Sequence, residues 1–291
     1  MEYSTTTDPR KVETAVKYCS DLVRKQDYDN YLCIPFYPSS VRNAQYAIRA
    51  LNIELAGIRE SVSNTIIGQM RMQFWRDTID KVYKGTPPSQ PIAIALAEAL
   101  KTCSFSSMWI KRLIDEREAN LQDPQYMTIK DLETYAENTA SQVLYLQLES
   151  LGVRDVQADH AVSHIGKAIG ITTLLRAMPF HASHRRMILP AEITAKYNVP
   201  QEEVFRTGHA GGLEDAVFEV ATAAHDHMLT ARSLVKSVPK EVMPVLLSAI
   251  PCDDYLKALE KAQFNSFDPK VQIRDWKLPY RLWRKFRTGQ I

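Results

Sequence analysis

The sequence predicts an all-α protein, and three observations support that prediction. Only 10 glycines occur among 291 residues, so flexible turns are few. Long stretches repeat apolar residues about every 3.6 positions, which is the period of an α-helix. No Asn-Gly or Asp-Gly turn stands between alternating segments, as a β-hairpin would require. We therefore expect helices along the whole chain and no strands.

The first half of the chain contains five predicted helices, each with its apolar residues on one face. We expect them at residues 9–26, 41–60, 66–83, 91–102 and 107–121. The segment Tyr31–Pro38 carries two prolines and three aromatic residues, and we expect an ordered loop there. The segment Lys84–Pro88 places a glycine before two prolines, which is typical of a helix end.

The second half begins with a helix-start signal at Thr128–Asp131, which has the form of a capping box. The helix that it opens is expected to end at Gly152. Further helices are expected at residues 156–177, 190–197, 214–237 and 240–262. No linker, composition break or internal repeat divides the chain. We predict one helical domain at residues 28–262, between an N-terminal helix and tail (1–27) and a basic, aromatic C-terminal tail (263–291).

Composition limits the partners and the compartment. The chain has 36 Lys and Arg against 34 Asp and Glu, a formal charge of +2, which argues against nucleic-acid binding through a global field. Its four cysteines are far apart without a CxxC pair, which indicates reduced thiols in an intracellular protein. The most apolar window, residues 91–100, is shorter than the about 20 residues that a membrane-spanning helix needs. The first residues resemble neither a secretory signal nor a transit peptide.

Histidines and acidic residues are the candidate metal ligands. His160 and His164 have a spacing that zinc sites use, but the glutamate of an HExxH motif is missing. His225 and His227 are two positions apart on a predicted helix, so their rings point in different directions. The acidic residues of Asp115–Glu118 stand beside arginines, as in a solvated helix face. We predict no metal site and no cofactor.

The C-terminal tail has an unusual composition. Residues 276–287 hold five basic and four aromatic residues and no acid, with Leu278, Leu282 and Phe286 at helical spacing. Two interpretations stay open: an amphipathic segment on an anionic membrane, or a terminal helix docked on the domain with its bases outside. The candidate membrane-binding residues are Trp276, Lys277, Arg281, Trp283, Arg284, Lys285, Phe286 and Arg287.

The order of three segments resembles a known family. Residues 67–100 contain a Trp-Arg pair, a Tyr-x-Gly-x-Pro turn and a Pro-led helix, and residues 137–152 read ENTASQVLYLQLESLG. With the helix at 41–60, these segments resemble the squalene and phytoene synthases over roughly residues 28–255. The resemblance implies a single helical domain of the isoprenoid synthase type.

Synthases of this family condense two prenyl diphosphates and hold Mg²⁺ with two aspartate-rich motifs. Aligned with that pattern, the first motif falls at Ala56 and Glu60, and the second at Ala177 and His181, directly after Arg176. One carboxylate stands where the family has four. Because hard Mg²⁺ requires oxygen ligands, we expect that this chain does not catalyse prenyl transfer and is not an enzyme.

A narrower resemblance rests on residues 71–80 (RMQFWRDTID), 135–146 (YAENTASQVLYL) and 159–190. These segments resemble a divergent, non-catalytic branch of the family whose members help to build mitochondrial NADH:ubiquinone oxidoreductase, complex I. The resemblance implies a chaperone-like role early in assembly, around a membrane subunit, with complex I subunits and other assembly factors as partners. It implies the matrix side of the mitochondrial inner membrane, with a cytosolic pool as the alternative location.

The alternative function is a lipid- or isoprenoid-binding protein, or an enzyme with altered prenyl diphosphate chemistry. In that hypothesis Glu60 and Arg176, with Arg185 and Arg186 as candidate anion-binding residues, would hold a phosphate group. The simpler interpretation of Arg185 and Arg186 is a basic surface loop.

Overall fold

The computed structural model describes residues 8–291, and residues 1–7, which begin the predicted N-terminal segment 1–27, lie outside the described part. Within residues 8–291 the chain is helical and contains no β-strand, so the predicted fold class is confirmed. The α-helices are α1 (Pro9–Gln26), α2 (Tyr28–Cys33), α3 (Arg42–Ser61), α4 (Thr65–Tyr83), α5 (Pro91–Thr102), α6 (Ser107–Ala119), α7 (Ile129–Ala136), α8 (Gln142–Ser150), α9 (Val156–Arg176), α10 (Met178–Ser183), α11 (Ala191–Lys196), α12 (Gln201–Thr207), α13 (Leu213–Leu234), α14 (Met243–Leu246), α15 (Ala249–Lys261) and α16 (Leu278–Thr288).

The described chain forms two compact units, each built from several segments. The first unit contains residues 8–122, 142–155 and 239–245, and the second contains residues 123–141, 156–238 and 246–291. Helix α1, which the sequence assigns to a separate N-terminal part, lies in the first unit, and α16 lies in the second. The domain boundaries drawn from the sequence stay a prediction.

In the first unit, α1, α3 and α5 pack against one another, and α4 packs on α6. Two polar contacts fix α3 within this apolar core. Arg49 donates from Nε to the Asp27 carboxylate at 2.7 Å. The buried Gln45 donates to the Ser150 hydroxyl at 2.7 Å and accepts from Gln147 at 3.0 Å. Because the buried amides of Gln45 and Gln147 are paired with each other, these two side chains avoid the cost of unsatisfied polar groups.

The predicted loop Tyr31–Pro38 is wrong in its first half, because α2 continues to Cys33 and a 3₁₀ turn follows at Ile34–Phe36. Proline is tolerated in the first turn of a helix, where its missing N–H has no partner in any case. Pro35 occupies such a position in the 3₁₀ turn. Arg42 then donates to the carbonyls of Pro35 and Tyr37, both at 2.8 Å, and holds the turn against the start of α3.

Helix α9 is the centre of the second unit and packs along α13. Helices α7 and α15 and a π-helical turn at Glu137–Ser141 also pack against α9. Two buried glycines four residues apart allow this close approach. A Cβ on Gly166 would lie 2.5 Å from the Ser141 Cα atom, and a Cβ on Gly170 would lie 2.8 Å from the Ala136 Cα atom. At these two positions the backbone of α9 approaches α7 and the π-helical turn so closely that only glycine fits.

Two predicted helices of the second half differ from the structure in their continuity. The capping box at Thr128–Asp131 is confirmed in both of its hydrogen bonds. The helix that it opens is interrupted by the π-helical turn before α8. The predicted helix at 240–262 is broken between α14 and α15, because Pro251 removes a donor and must stand in the first turn of a new helix. Helices α10 and α12 have no counterpart among the predicted elements.

Candidate functional site

The predicted first motif position, Ala56 and Glu60, lies near the C-terminal end of α3, in the first unit. Ala56 and Glu60 share one exposed face of the helix, one turn apart, while Leu55 and Ile58 are buried on the opposite face. The i, i+4 geometry that would aim two carboxylates in one direction is therefore kept. Glu60 supplies the carboxylate, and Ala56 supplies a methyl group.

The predicted second motif position lies at the junction of α9 and α10, in the second unit. Arg176 ends α9, Ala177 joins the two helices, and His181 stands half-buried in α10. Met178 is buried beneath this junction. No Asp or Glu occurs between residues 161 and 191. The junction therefore presents a guanidinium, a methyl group and an imidazole at the position that the sequence predicts for the second motif.

Arg176 is engaged within its own unit. The carbon of its guanidinium group lies 5.0 Å from the centre of the Tyr255 ring, and Gln272 donates to the Arg176 carbonyl at 2.9 Å. Burial raises the pKa of the Tyr255 phenol to about 12, so the ring stays neutral under the guanidinium. The arginine that precedes the second motif thus packs on an aromatic face, where a cation is stabilised.

Each of the candidate anion-binding arginines has a carboxylate partner. Arg185 donates to both carboxylate oxygens of Glu202, at 2.6 and 2.7 Å, and lies over the Phe205 ring. Arg186 forms an ion pair with Asp123 at 3.0 Å. A phosphate at this position would have to compete with two carboxylates that already bind the guanidinium groups. The geometry thus supports the simpler interpretation of Arg185 and Arg186.

The second unit also contains a polar cluster that the sequence analysis did not identify. The Nδ1 atoms of His164 and His227 are 2.8 Å apart, and His227 Nε2 is 3.1 Å from the Glu133 carboxylate. Burial, and then the neighbouring His227, lower the pKa of His164. The two rings can share one hydrogen bond only if one Nδ1 carries a proton and the other does not. The cluster therefore links α7, α9 and α13 by alternating donors and acceptors.

The sequence did not predict the pair of His164 and His227, because residue spacing predicts neighbours within one helix and these two histidines lie on different helices. As expected, the rings of the HxH pair diverge: His225 is exposed and His227 is half-buried. His160 is also exposed. In the part of the chain that is described, no group of three or more His, Cys, Asp or Glu side chains has a geometry that could hold a metal ion.

The acidic face of α6 is an ion-pair network. Arg76 of α4 donates to Asp115 at 2.6 Å and also pairs with Glu118. Lys111 pairs with Asp80 at 2.8 Å, in the same pair of helices. The acids at residues 115–118, first considered as metal ligands, thus include two that join α6 to α4.

Helix α16 (Leu278–Thr288) contains most of the predicted tail, and Trp276 and Lys277 precede it. Of the predicted apolar stripe, Leu278 and Leu282 are buried and Phe286 is 38% exposed; Trp276, Tyr280 and Trp283 are exposed as well. The leucine stripe is therefore used for docking, and the outer face is aromatic as well as basic. None of the helices within residues 8–291 is long and apolar enough to cross a bilayer.

Comparison with known proteins places this geometry in a family. A family model described as squalene/phytoene synthase matches residues 23–284. The protein named NADH dehydrogenase (ubiquinone) complex I, assembly factor 6, from Bos taurus is 46% identical over 273 residues, which is 92% of this chain and 82% of that protein. The Homo sapiens protein of the same name is 44% identical over 272 residues, with the same two coverages.

The fold agrees with that match. A solved dehydrosqualene synthase in complex with ligand superposes with a TM-score of 0.84, covering 97% of this chain and 98% of the synthase, at 17% sequence identity. The resemblance seen in the residues is thereby confirmed. The chain belongs to the squalene/phytoene synthase family, in the branch of the complex I assembly factor 6 proteins.

Proposed function

We propose that this protein is an assembly factor for mitochondrial respiratory complex I that keeps the prenyl synthase fold without its reaction. The relatives at 44% and 46% identity carry the assembly role in their names. One observation supports the loss of the reaction: at the two motif positions of the family, only Glu60 offers a carboxylate, beside Ala56, Ala177 and His181. Mg²⁺ needs several oxygen ligands to neutralise a departing diphosphate, and one carboxylate does not supply them.

We further propose that the protein acts early and in a chaperone-like way, on an apolar segment of a membrane subunit, at the matrix side of the inner membrane. Its partners are complex I subunits and other assembly factors. The outer face of α4 supports this proposal. Ile66 and Met70 are 68% and 67% exposed, and Phe74 is 49% exposed, one helical turn apart from one another. Exposed apolar side chains at such spacing are typical of protein-binding surfaces.

The charge around that face suits an apolar client. In α4, the first charged residue is Arg71, which lies beside the apolar side chains and donates to the Ser61 hydroxyl. Polar residues on the flanks are uncharged amides, Gln69 and Gln73. Between Thr65 and Met70 α4 carries no charged side chain, so an apolar segment can cover Ile66 and Met70 without burying a charge, which would cost several kcal/mol.

Cells that lack this protein provide the test. We expect them to lose mature complex I on native gels, and the wild-type protein to restore it. Met70→Gln/Phe74→Gln should leave complex I at the level of the deletion, because two amides interrupt the apolar face. Leu229→Gln, a change of an equally exposed apolar residue on α13, should restore it fully.

Two outcomes would contradict the proposal. Full complex I in cells without the protein would exclude the assembly role. Full restoration by Met70→Gln/Phe74→Gln would exclude α4 as the client-binding surface and leave the assembly role intact. Circular dichroism of the purified variants checks that both remain folded.

A further inference from the structure

We propose that α16 is a membrane-contact surface: a helix fixed on the second unit, whose outward aromatic and basic side chains bind an anionic lipid surface. The inference rests on the membrane-side location proposed above and names the part of the chain that provides it. It differs from insertion of a free amphipathic tail, because Leu278 and Leu282 of α16 are already covered by protein.

The inner face of α16 is held by packing and by ion pairs. Leu278 and Leu282 are buried in the second unit. Arg281, on the flank of the helix, pairs with Asp254 of α15 and with Asp275 at 3.2 Å. Past the end of the helix, the carbonyl of Ile291 accepts from Arg232 Nε at 3.2 Å. These contacts fix which side of α16 faces solvent.

Aromatic side chains occupy the outer face of α16 and the two-residue turn, Trp276 and Lys277, that precedes it. Trp276 is 83% exposed, Tyr280 is 61% exposed and Trp283 is 47% exposed. Tyr280 and Trp283 stack with their ring centroids 5.9 Å apart. Tryptophan and tyrosine have an apolar body and a polar edge, so they are stabilised at the boundary between water and lipid headgroups.

Basic side chains lie among these rings. Lys277 Nζ is 5.3 Å from the Trp276 ring centre, and the Arg287 guanidinium carbon is 5.4 Å from that of Trp283. Arg284 is also exposed on the outer face. The single acid between residues 274 and 287 is Asp275, which pairs with Arg281. The outward surface is therefore cationic, although the whole chain has a formal charge of only +2.

Charge complementarity selects the occupant. Anionic lipid headgroups can pair with the basic side chains of α16 without requiring a fixed arrangement of those side chains. The aromatic rings can enter the apolar layer beneath the headgroups. A second copy of the chain docking through the same face would bring like charges together in a two-fold interface. We therefore assign an anionic lipid surface.

The test is sedimentation of the full chain with vesicles of phosphatidylcholine, alone or with roughly one third phosphatidylglycerol. We expect the anionic vesicles to bind at least about 25-fold more tightly, because Arg284 and Arg287 each contribute about fivefold near such a surface. Arg284→Gln/Arg287→Gln should weaken that binding about 25-fold by the same increment. Tyr280→Ala/Trp283→Ala should weaken it about tenfold, through loss of the interfacial rings.

Matched controls separate the surface from general effects. Phe218→Ala removes a ring that is about as exposed as Trp283, 50% against 47%, and Lys236→Gln/Lys240→Gln removes two exposed bases outside α16. Both should bind like the wild type. Arg284→Lys/Arg287→Lys keeps the charge and should restore binding. All of the changed side chains are exposed, so we expect unchanged circular dichroism and unfolding.

The proposal is overturned if the wild type does not bind anionic vesicles, if both vesicles bind equally, or if the α16 variants bind like their controls. A change from dimer to monomer in these variants, without a change in vesicle binding, would assign the face to a second copy. If the protein does not bind anionic vesicles but cells still need it for complex I, only the α16 proposal is excluded. If it binds the vesicles but cells without it contain normal complex I, only the assembly role is excluded.

Discussion

Gly166→Ala is expected to lower the free energy of unfolding by about 3 kcal/mol, the upper end of the usual cost of overpacking. A Cβ on Gly166 would lie 2.1 Å from the Ser141 Oγ atom, 2.5 Å from its Cα atom and 2.6 Å from its amide nitrogen. The hydroxyl can rotate away, but the backbone atoms cannot move without shifting the π-helical turn. The measurement is urea unfolding followed by circular dichroism.

Gly57→Ala is the matched control, because Gly57 lies within α3 and has no neighbouring atom within 4 Å of an added Cβ. Alanine favours a helix over glycine by up to about 1 kcal/mol, so this variant should be slightly more stable than the wild type. Equal stability of Gly166→Ala and the wild type would show that α9 and the π-helical turn are not as closely packed as the structure indicates.

Arg281→Met is expected to lower the free energy of unfolding by about 3 kcal/mol near neutral pH, because it leaves a buried carboxylate without its cation. Asp254 pairs with Arg281, and both of its carboxylate oxygens are shielded from solvent. Burial raises the pKa of Asp254 above its ordinary value, and the opposing effect of Arg281 is smaller. For the pKa of Asp254, the cost of burying the carboxylate is therefore larger than its attraction to Arg281.

The sign of the pH dependence follows from that raised pKa. A carboxyl group whose pKa is higher in the folded state binds protons more readily there, so its ionised form destabilises the fold as pH rises through the folded pKa. Removing Arg281 makes ionised Asp254 still less favourable, so the loss should shrink as the pH falls and Asp254 is protonated. Arg281→Met/Asp254→Leu should recover most of the stability. A loss that is equal at acidic and neutral pH would contradict this assignment.

Local signals in the sequence predicted the helix boundaries closely. Pro9, Pro91 and the capping box at Thr128–Asp131 each begin a helix at the expected residue. These signals are local, because a cap or an N-terminal proline acts on the backbone of its own first turn. Where the outcome depended on distant contacts, as in the π-helical turn pressed against Gly166, no local signal was present.

For the candidate site, too, the sequence shows which residues are present, whereas their long-range partners are seen only in the structure. The identities of Ala56 and Ala177 are visible in the sequence, and the structure adds only their positions on their helices. The partner of Arg185, Glu202, is 17 residues away, and that of His164, His227, is 63 residues away. Such pairs arise from packing between helices, which the 3.6-residue period does not describe.

Incubation of the purified protein with labelled farnesyl diphosphate and Mg²⁺ tests the central claim most directly. We expect all of the label to remain in farnesyl diphosphate, because Glu60 is the single carboxylate at the positions predicted for the two aspartate-rich motifs. A dehydrosqualene synthase treated in parallel should form condensed product. Any condensed product formed by this protein would contradict the loss of prenyl transfer.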